Sequence, residues 1–91
     1  MVQPRKFRAA FASVIGDLAD EAAVAQERYG PFASTHEAFG VLAEEIQELL
    51  DAIRANAMES VRTEALQVAA VAARLAAHCR DDAAFRHRSG A

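Results

Sequence analysis

The sequence predicts an all-α fold, and three observations carry that prediction. Alanine fills 23 of the 91 positions, while glycine supplies 4 and proline 2. Apolar residues recur at three- and four-residue steps through three segments instead of alternating. The β-branched runs and frequent turn residues of a sheet-rich sandwich are missing, and 53% apolar content excludes collagen-like and disordered chains. The expected architecture is an antiparallel helical bundle of three main helices plus a short C-terminal turn, completed by oligomerisation. Residues 1–91 form a single domain, since a chain of this length has room for one core.

The first helix follows from Phe7, Phe11, Val14, Leu18, Ala22, Ala25 and Tyr29, whose spacing makes one apolar face. Gly30-Pro31 ends it, because glycine accepts a left-handed cap and proline cannot continue the hydrogen-bond ladder. Gly16, inside the helix, weakens it by about 1 kcal/mol relative to alanine. Ser34-Thr35-His36-Glu37 reads as a capping box that opens the second helix. The apolar arc of that helix is Ala38, Phe39, Leu42, Ile46, Leu49, Leu50 and Ile53. Asn56 is placed to close it, and Asn56-Ala57-Met58-Glu59 to cap the next helix. The third helix, about Ser60 to Cys79, is apolar almost all round, which calls for burial on most sides and for a second subunit against it. Asp81-Asp82 is positioned to cap a short last turn through Phe85, and the tail from Arg86 frays.

Composition narrows the function classes. A net charge of −3 with 25% charged residues provides no overall basic field, which argues against general nucleic-acid binding. No apolar stretch approaches the roughly 20 residues a bilayer demands, and Arg8, Ser13 and Asp17 interrupt any signal-peptide core. The lone Cys79 cannot form an internal disulfide, so a reduced cytoplasm is the expected location, with the thiol inert on the apolar side of its helix.

The carboxylates are where chemistry is expected. Glu37, Glu44 and Glu48 share a stripe of the second helix, with Glu45 about 60° from Glu48 against the apolar edge. None of Glu44, Glu45 and Glu48 has a cation at the i+4 position that normally offsets a solvated acid. On the third helix Glu64 falls between Val68, Val71 and Leu75, inside the apolar face, with Gln67 one turn along. If the two helices pack, Glu45, Glu48 and Glu64 converge. Two carboxylates about 5 Å apart repel by roughly 3 kcal/mol at an effective dielectric near 20, so three need protons or a cation. An all-oxygen set suits Mg²⁺, with Mn²⁺ as an alternative, and suits Zn²⁺ poorly. A ferritin-like di-iron centre would require Glu-x-x-His on paired helices, where this chain has Glu45-x-x-Glu48 and Glu64-x-x-Gln67.

Glu44-Glu45-Ile46-Gln47-Glu48-Leu49-Leu50-Asp51-Ala52-Ile53, followed by Glu64-Ala65-Leu66-Gln67, resembles the MazG-like all-α nucleoside triphosphate pyrophosphohydrolases. Their pattern is Glu-Glu-x-x-Glu on one helix and Glu-x-x-Asp on the next, and the resemblance spans about residues 34 to 79. It implies Mg²⁺-dependent cleavage of a nucleoside triphosphate, ribo- or deoxyribo-, to the monophosphate and pyrophosphate. It also implies Glu45, Glu48, Glu64 and Gln67 as metal ligands, with Glu44 as a further ligand or the base for the attacking water. Gln67 departs from the pattern, since its amide oxygen can ligate but carries no charge; the number of metals is therefore left open. Arg74, two turns beyond Gln67, is placed to reach a phosphate or to serve a subunit interface. His36, His78, Phe32 and Gly40 carry structural expectations: a helix start, a helix edge, core packing beside the Gly-Pro turn, and helix packing. The expected assembly is a homodimer or homotetramer. The alternative function is a non-catalytic helical dimerisation or regulatory module that has lost its metal site.

Overall fold

The computed structural model describes residues 5–80, which form three α-helices and no strand. Helix α1 spans Arg5–Tyr29, α2 spans Thr35–Arg54 and α3 spans Met58–Arg80. The turn expected at Asp81-Asp82 through Phe85, and the tail after it, lie outside the described residues. None of the described helices is long and apolar enough to cross a membrane.

Each boundary has a local cause. Gly30 adopts the left-handed φ of 71° expected of it and donates its N–H to the Gln26 carbonyl at 2.8 Å. Ser34 is the extended N-cap of α2, and its hydroxyl accepts from the Glu37 N–H at 3.1 Å. The Glu37 carboxylate reaches back to the Ala33 N–H at 2.6 Å, one residue earlier than a standard capping box. At the other end of α2, Asn56 takes a left-handed φ of 55°. The Asn56 N–H bonds the Ile53 carbonyl at 3.0 Å and the Ala57 N–H the Ala52 carbonyl at 3.1 Å. These two bonds make a Schellman motif. Asn56 therefore terminates α2 but does not cap α3, because a left-handed residue cannot also take the extended backbone of an N-cap. The Ala57 carbonyl instead accepts the first bond of α3, from the Val61 N–H at 2.8 Å.

Helix α3 is the central element. It packs along α2, antiparallel through the tight turn at Ala55–Asn56, and less extensively along α1, while α1 and α2 scarcely meet. Among the described residues, side-chain hydrogen bonds link α1 to α3 between Asp17 and Arg62, Glu21 and Gln67, and Gln26 and Arg74. Residue numbers rise together across this seam, so the two helices run parallel with an offset near 45. At that offset the first turns of α1 project past the start of α3, which leaves Phe7 and Phe11 more than half exposed. The core is small. Phe32, Ala38 and Val71 form it, with Val41, Leu42 and Leu75 packed around them. Ala38 on α2 and Ala70 on the flank of α3 that carries Gln67 and Arg74 are almost wholly buried.

The expectation that α3 carries the unpartnered apolar surface needs correcting. Of the exposed large apolar side chains, only Met58 lies on α3, whereas α1 presents Phe7, Phe11, Val14, Ile15, Val24 and Tyr29 and α2 presents Phe39, Ile46, Leu50 and Ile53. The reason is side-chain size. Half of the apolar residues of α3 are alanines, which expose one methyl each, and Val61, Leu66, Val68, Val71 and Leu75 are buried or half-buried. Gly40 is exposed, with open space where a Cβ would sit, so within the chain it serves no close helix contact.

Candidate metal centre

Glu45 and Glu48 are one helical turn apart on α2, and Glu64 is in the second turn of α3, just past the α2–α3 turn. The antiparallel hairpin brings them together as the sequence suggested. One ligand oxygen from each lies within 4.8 Å of the other two. Glu45 and Glu64 are half-buried and Glu48 is exposed, so the group opens to solvent on the Glu48 side. The sequence placed Glu64 inside the apolar face, between Val68, Val71 and Leu75. In the structure it shares the helix face of the buried Val71 and is itself half-buried.

Electrostatic stress falls on Glu45. Burial holds its carboxyl above the ordinary glutamate range, and the charges of Glu48 and Glu64 push it the same way. A hydrogen bond with Glu48 and the charge of Glu44 add smaller contributions of the same sign. Among the described residues the ion pair is between Arg62 and Asp17 at 3.0 Å, away from this group. Among the described residues the three acids thus have no cation in ion-pair contact. Their donors are all carboxylate oxygen, a set that matches hard divalent cations such as Mg²⁺ or Mn²⁺.

The other expected site residues are placed differently. Glu44 is exposed, outside the three-carboxylate group, and acts on Glu45 through its charge. Gln67 turns its amide toward α1 and donates from Nε2 to Glu21 Oε2 at 2.8 Å. Arg74 is one of the most buried side chains of the described residues, at 7% exposure. It donates from Nε to Gln26 Oε1 at 3.1 Å and from Nη2 to the Gly30 carbonyl at 3.0 Å. Its guanidinium also stacks on the Phe32 ring, 4.3 Å from the centroid. Burial draws its pKa below the ordinary arginine value, against the opposing attraction of Glu37 and Tyr29. Arg74 therefore buttresses the α1–α2 connection, ten residues along α3 from Glu64, where the sequence had suggested a phosphate ligand or an interface.

Sequence reasoning passed over Glu21 and Gln26. Their signal was available in the spacing Asp17, Glu21, which aligns two acids one turn apart on α1, but their partners depend on the register between α1 and α3. Phe32 is buried beside the Gly-Pro turn as expected, and its ring meets the His78 ring edge-on at 5.9 Å. Cys79 is exposed, contrary to the apolar placement expected of it. No protein-family profile, curated protein or solved structure matches the chain.

Proposed function

We propose that the chain is a divalent-cation-dependent nucleoside triphosphate pyrophosphohydrolase of the MazG-like type, releasing a nucleoside monophosphate and pyrophosphate. The observation that supports this reading is the convergence of Glu45, Glu48 and Glu64, drawn from two helices, with their oxygens within 4.8 Å and no ion pair to them among the described residues. A carboxylate group of this kind is destabilising when metal-free and becomes favourable with a cation bound. Mg²⁺ bound there would neutralise charge on a triphosphate and polarise its phosphoryl oxygens as a Lewis acid, making the phosphorus more electrophilic. Glu45, Glu48 and Glu64 would hold the ion. Glu44, exposed beside the group, would orient or deprotonate a water. Gln67, whose amide is engaged with Glu21, would have to turn away from α1 to join Glu45, Glu48 and Glu64 as a ligand. Pyrophosphate release from each ribo- and deoxyribonucleoside triphosphate, with Mg²⁺ and with chelator, tests the proposal. Release with at least one substrate that disappears in chelator and in Glu64→Gln is expected; no release from any of them would overturn it.

The proposal includes self-association. Phe39, Ile46, Leu50 and Ile53 lie within about 60° of arc on α2, a stripe that a second copy would cover. That stripe is well over 100° around α2 from Glu48, so association through it leaves the Glu48 side of the carboxylate group open. Light scattering on the full chain should report at least twice the 9.8 kDa of one copy. A monomer at micromolar concentration would contradict this part.

A non-catalytic dimerisation or regulatory module is the second reading. It is favoured by Gln67, whose amide is committed to Glu21 at the position where the resemblance calls for an aspartate. Self-association without pyrophosphate release would select it.

A further inference from the structure

The start of α1 stands clear of the bundle. With α1 and α3 parallel at an offset near 45, the first two turns of α1 lie beyond the start of α3 at Met58, and every residue from 5 to 16 is exposed. At 100° per residue, Phe7, Phe11, Val14 and Ile15 fall within about 100° of arc. They make a continuous apolar stripe whose members are 43% to 58% exposed. Arg8 lies about 20° outside one edge of the stripe, Arg5 about 80° outside the same edge, and Lys6 about 80° outside the other. The rest of the circumference is Ala9, Ala10, Ala12, Ser13 and Gly16, side chains too short to hold the helix off a surface. Residues 5–16 contain Arg5, Lys6 and Arg8 and no acid, although the chain has 13 acids and a net charge of −3. The next acid, Asp17, is ion-paired with Arg62.

A partner for this face must take up the apolar stripe and answer the cations beside it. A nucleic-acid backbone would answer the cations and leave four apolar side chains in water. A second copy laid stripe to stripe would bring six cations into one contact, with no acid in either segment to meet them. A leaflet containing anionic lipid meets both demands. Its acyl boundary receives Phe7, Phe11, Val14 and Ile15, and its headgroups receive cations whose long stems reach up from that boundary. We propose that the N-terminal half of α1 docks the protein on an anionic lipid surface, lying in the plane of the interface and not crossing it. Phe7 and Phe11 are the anchors, because they are the largest side chains of the stripe and lie beyond the start of α3. The docking uses none of the carboxylates of the candidate metal centre, so it holds for the catalytic and the non-catalytic reading alike.

The chain contains no tryptophan, so Phe11→Trp puts a single emission reporter in the stripe. The full chain carrying it is titrated, at about 0.1 M salt, with vesicles of phosphatidylcholine alone and with vesicles in which roughly a third of the lipid is phosphatidylserine. Each cation at an anionic surface contributes about fivefold to partitioning, so the three together predict up to about hundredfold tighter binding to the anionic vesicles, with blue-shifted emission. Replacing Arg5, Lys6 and Arg8 together by glutamine should bring the two vesicle types within about threefold of each other. Phe7→Ala in the otherwise native chain, read by cosedimentation, should weaken binding by about tenfold or more while the far-ultraviolet circular dichroism stays the same. No binding to the anionic vesicles, equal binding to both types, or binding without a change in emission would overturn the proposal. Tighter binding to a short DNA duplex than to the vesicles would give the face to nucleic acid, and a lipid-free dimer that Phe7→Ala dissociates would give it to a second copy. Either result overturns the lipid assignment.

Discussion

Glu64→Gln separates a metal centre from an acidic surface because its effect on stability should change sign with metal. In the wild type, Glu64 lies within 4.8 Å of both Glu45 and Glu48, oxygen to oxygen. At that distance each charged pair repels by about 3.5 kcal/mol at an effective dielectric of 20 and by about 0.9 kcal/mol in water. Glu48 is exposed, so solvent screening moves the true relief toward the lower figure. Neutralising Glu64 should therefore stabilise the chelated protein by about 1 kcal/mol, or roughly 4–8 °C in melting temperature for a domain of this size. Magnesium should reverse the order. A cation at 100 times its dissociation constant adds about 2.7 kcal/mol to the wild type, and loss of a charged ligand removes most of that from the variant. Thermal melts of both proteins in chelator and in 10-fold steps of Mg²⁺ should thus cross. Curves that keep the same offset at every Mg²⁺ concentration would refute the reasoning.

Gln67→Asp places a carboxylate against Glu21 in exchange for an amide hydrogen bond of 2.8 Å, so in chelator it should lower stability by about 1–3 kcal/mol, read by denaturant melts. Glu45 binds its proton more tightly folded than unfolded, so it detracts from stability as pH rises from the ordinary 4.5 through its folded value. In chelator, Glu45→Gln should accordingly melt above the wild type at pH 7, with the advantage shrinking as pH falls toward 4.5; an advantage independent of pH would contradict the assignment. Gly40→Ala introduces a methyl into open space inside a helix and should stabilise by about 1 kcal/mol, detectable by the same melts. A loss of stability instead would mean that a partner chain packs closely at Gly40.

The helices were legible because their apolar residues repeat every three or four positions and because Gly30, Ser34 and Asn56 are chemically suited to helix ends. The convergence of Glu45, Glu48 and Glu64 was legible for the same reason. Two acids one turn apart, followed by a tight turn and a third acid early in the next helix, leave a hairpin little freedom to separate them. What could not be read is anything set by the α1–α3 register. The partners of Gln67 and Arg74 are Glu21 and Gln26, and no pattern within a single helix encodes an offset near 45. Burial was also misjudged wherever alanine dominates. Helix α3 looked uniformly apolar by count, yet the large unpartnered side chains belong to α1 and α2. Asn56 shows a third kind of ambiguity, since one residue was suited both to end α2 and to begin α3, and its left-handed backbone decided between them.

Direct measurement of Mn²⁺ binding by electron paramagnetic resonance tests the central claim, that the three carboxylates form a divalent-cation site. Titrating the full chain into Mn²⁺ should remove the free-ion signal with saturable stoichiometry. Mg²⁺ should restore the signal by competition, and Glu64→Gln should bind at least about tenfold more weakly, the loss of one charged contact. A free-ion signal undiminished by the protein, or the same titration for wild type and Glu64→Gln, would contradict the site.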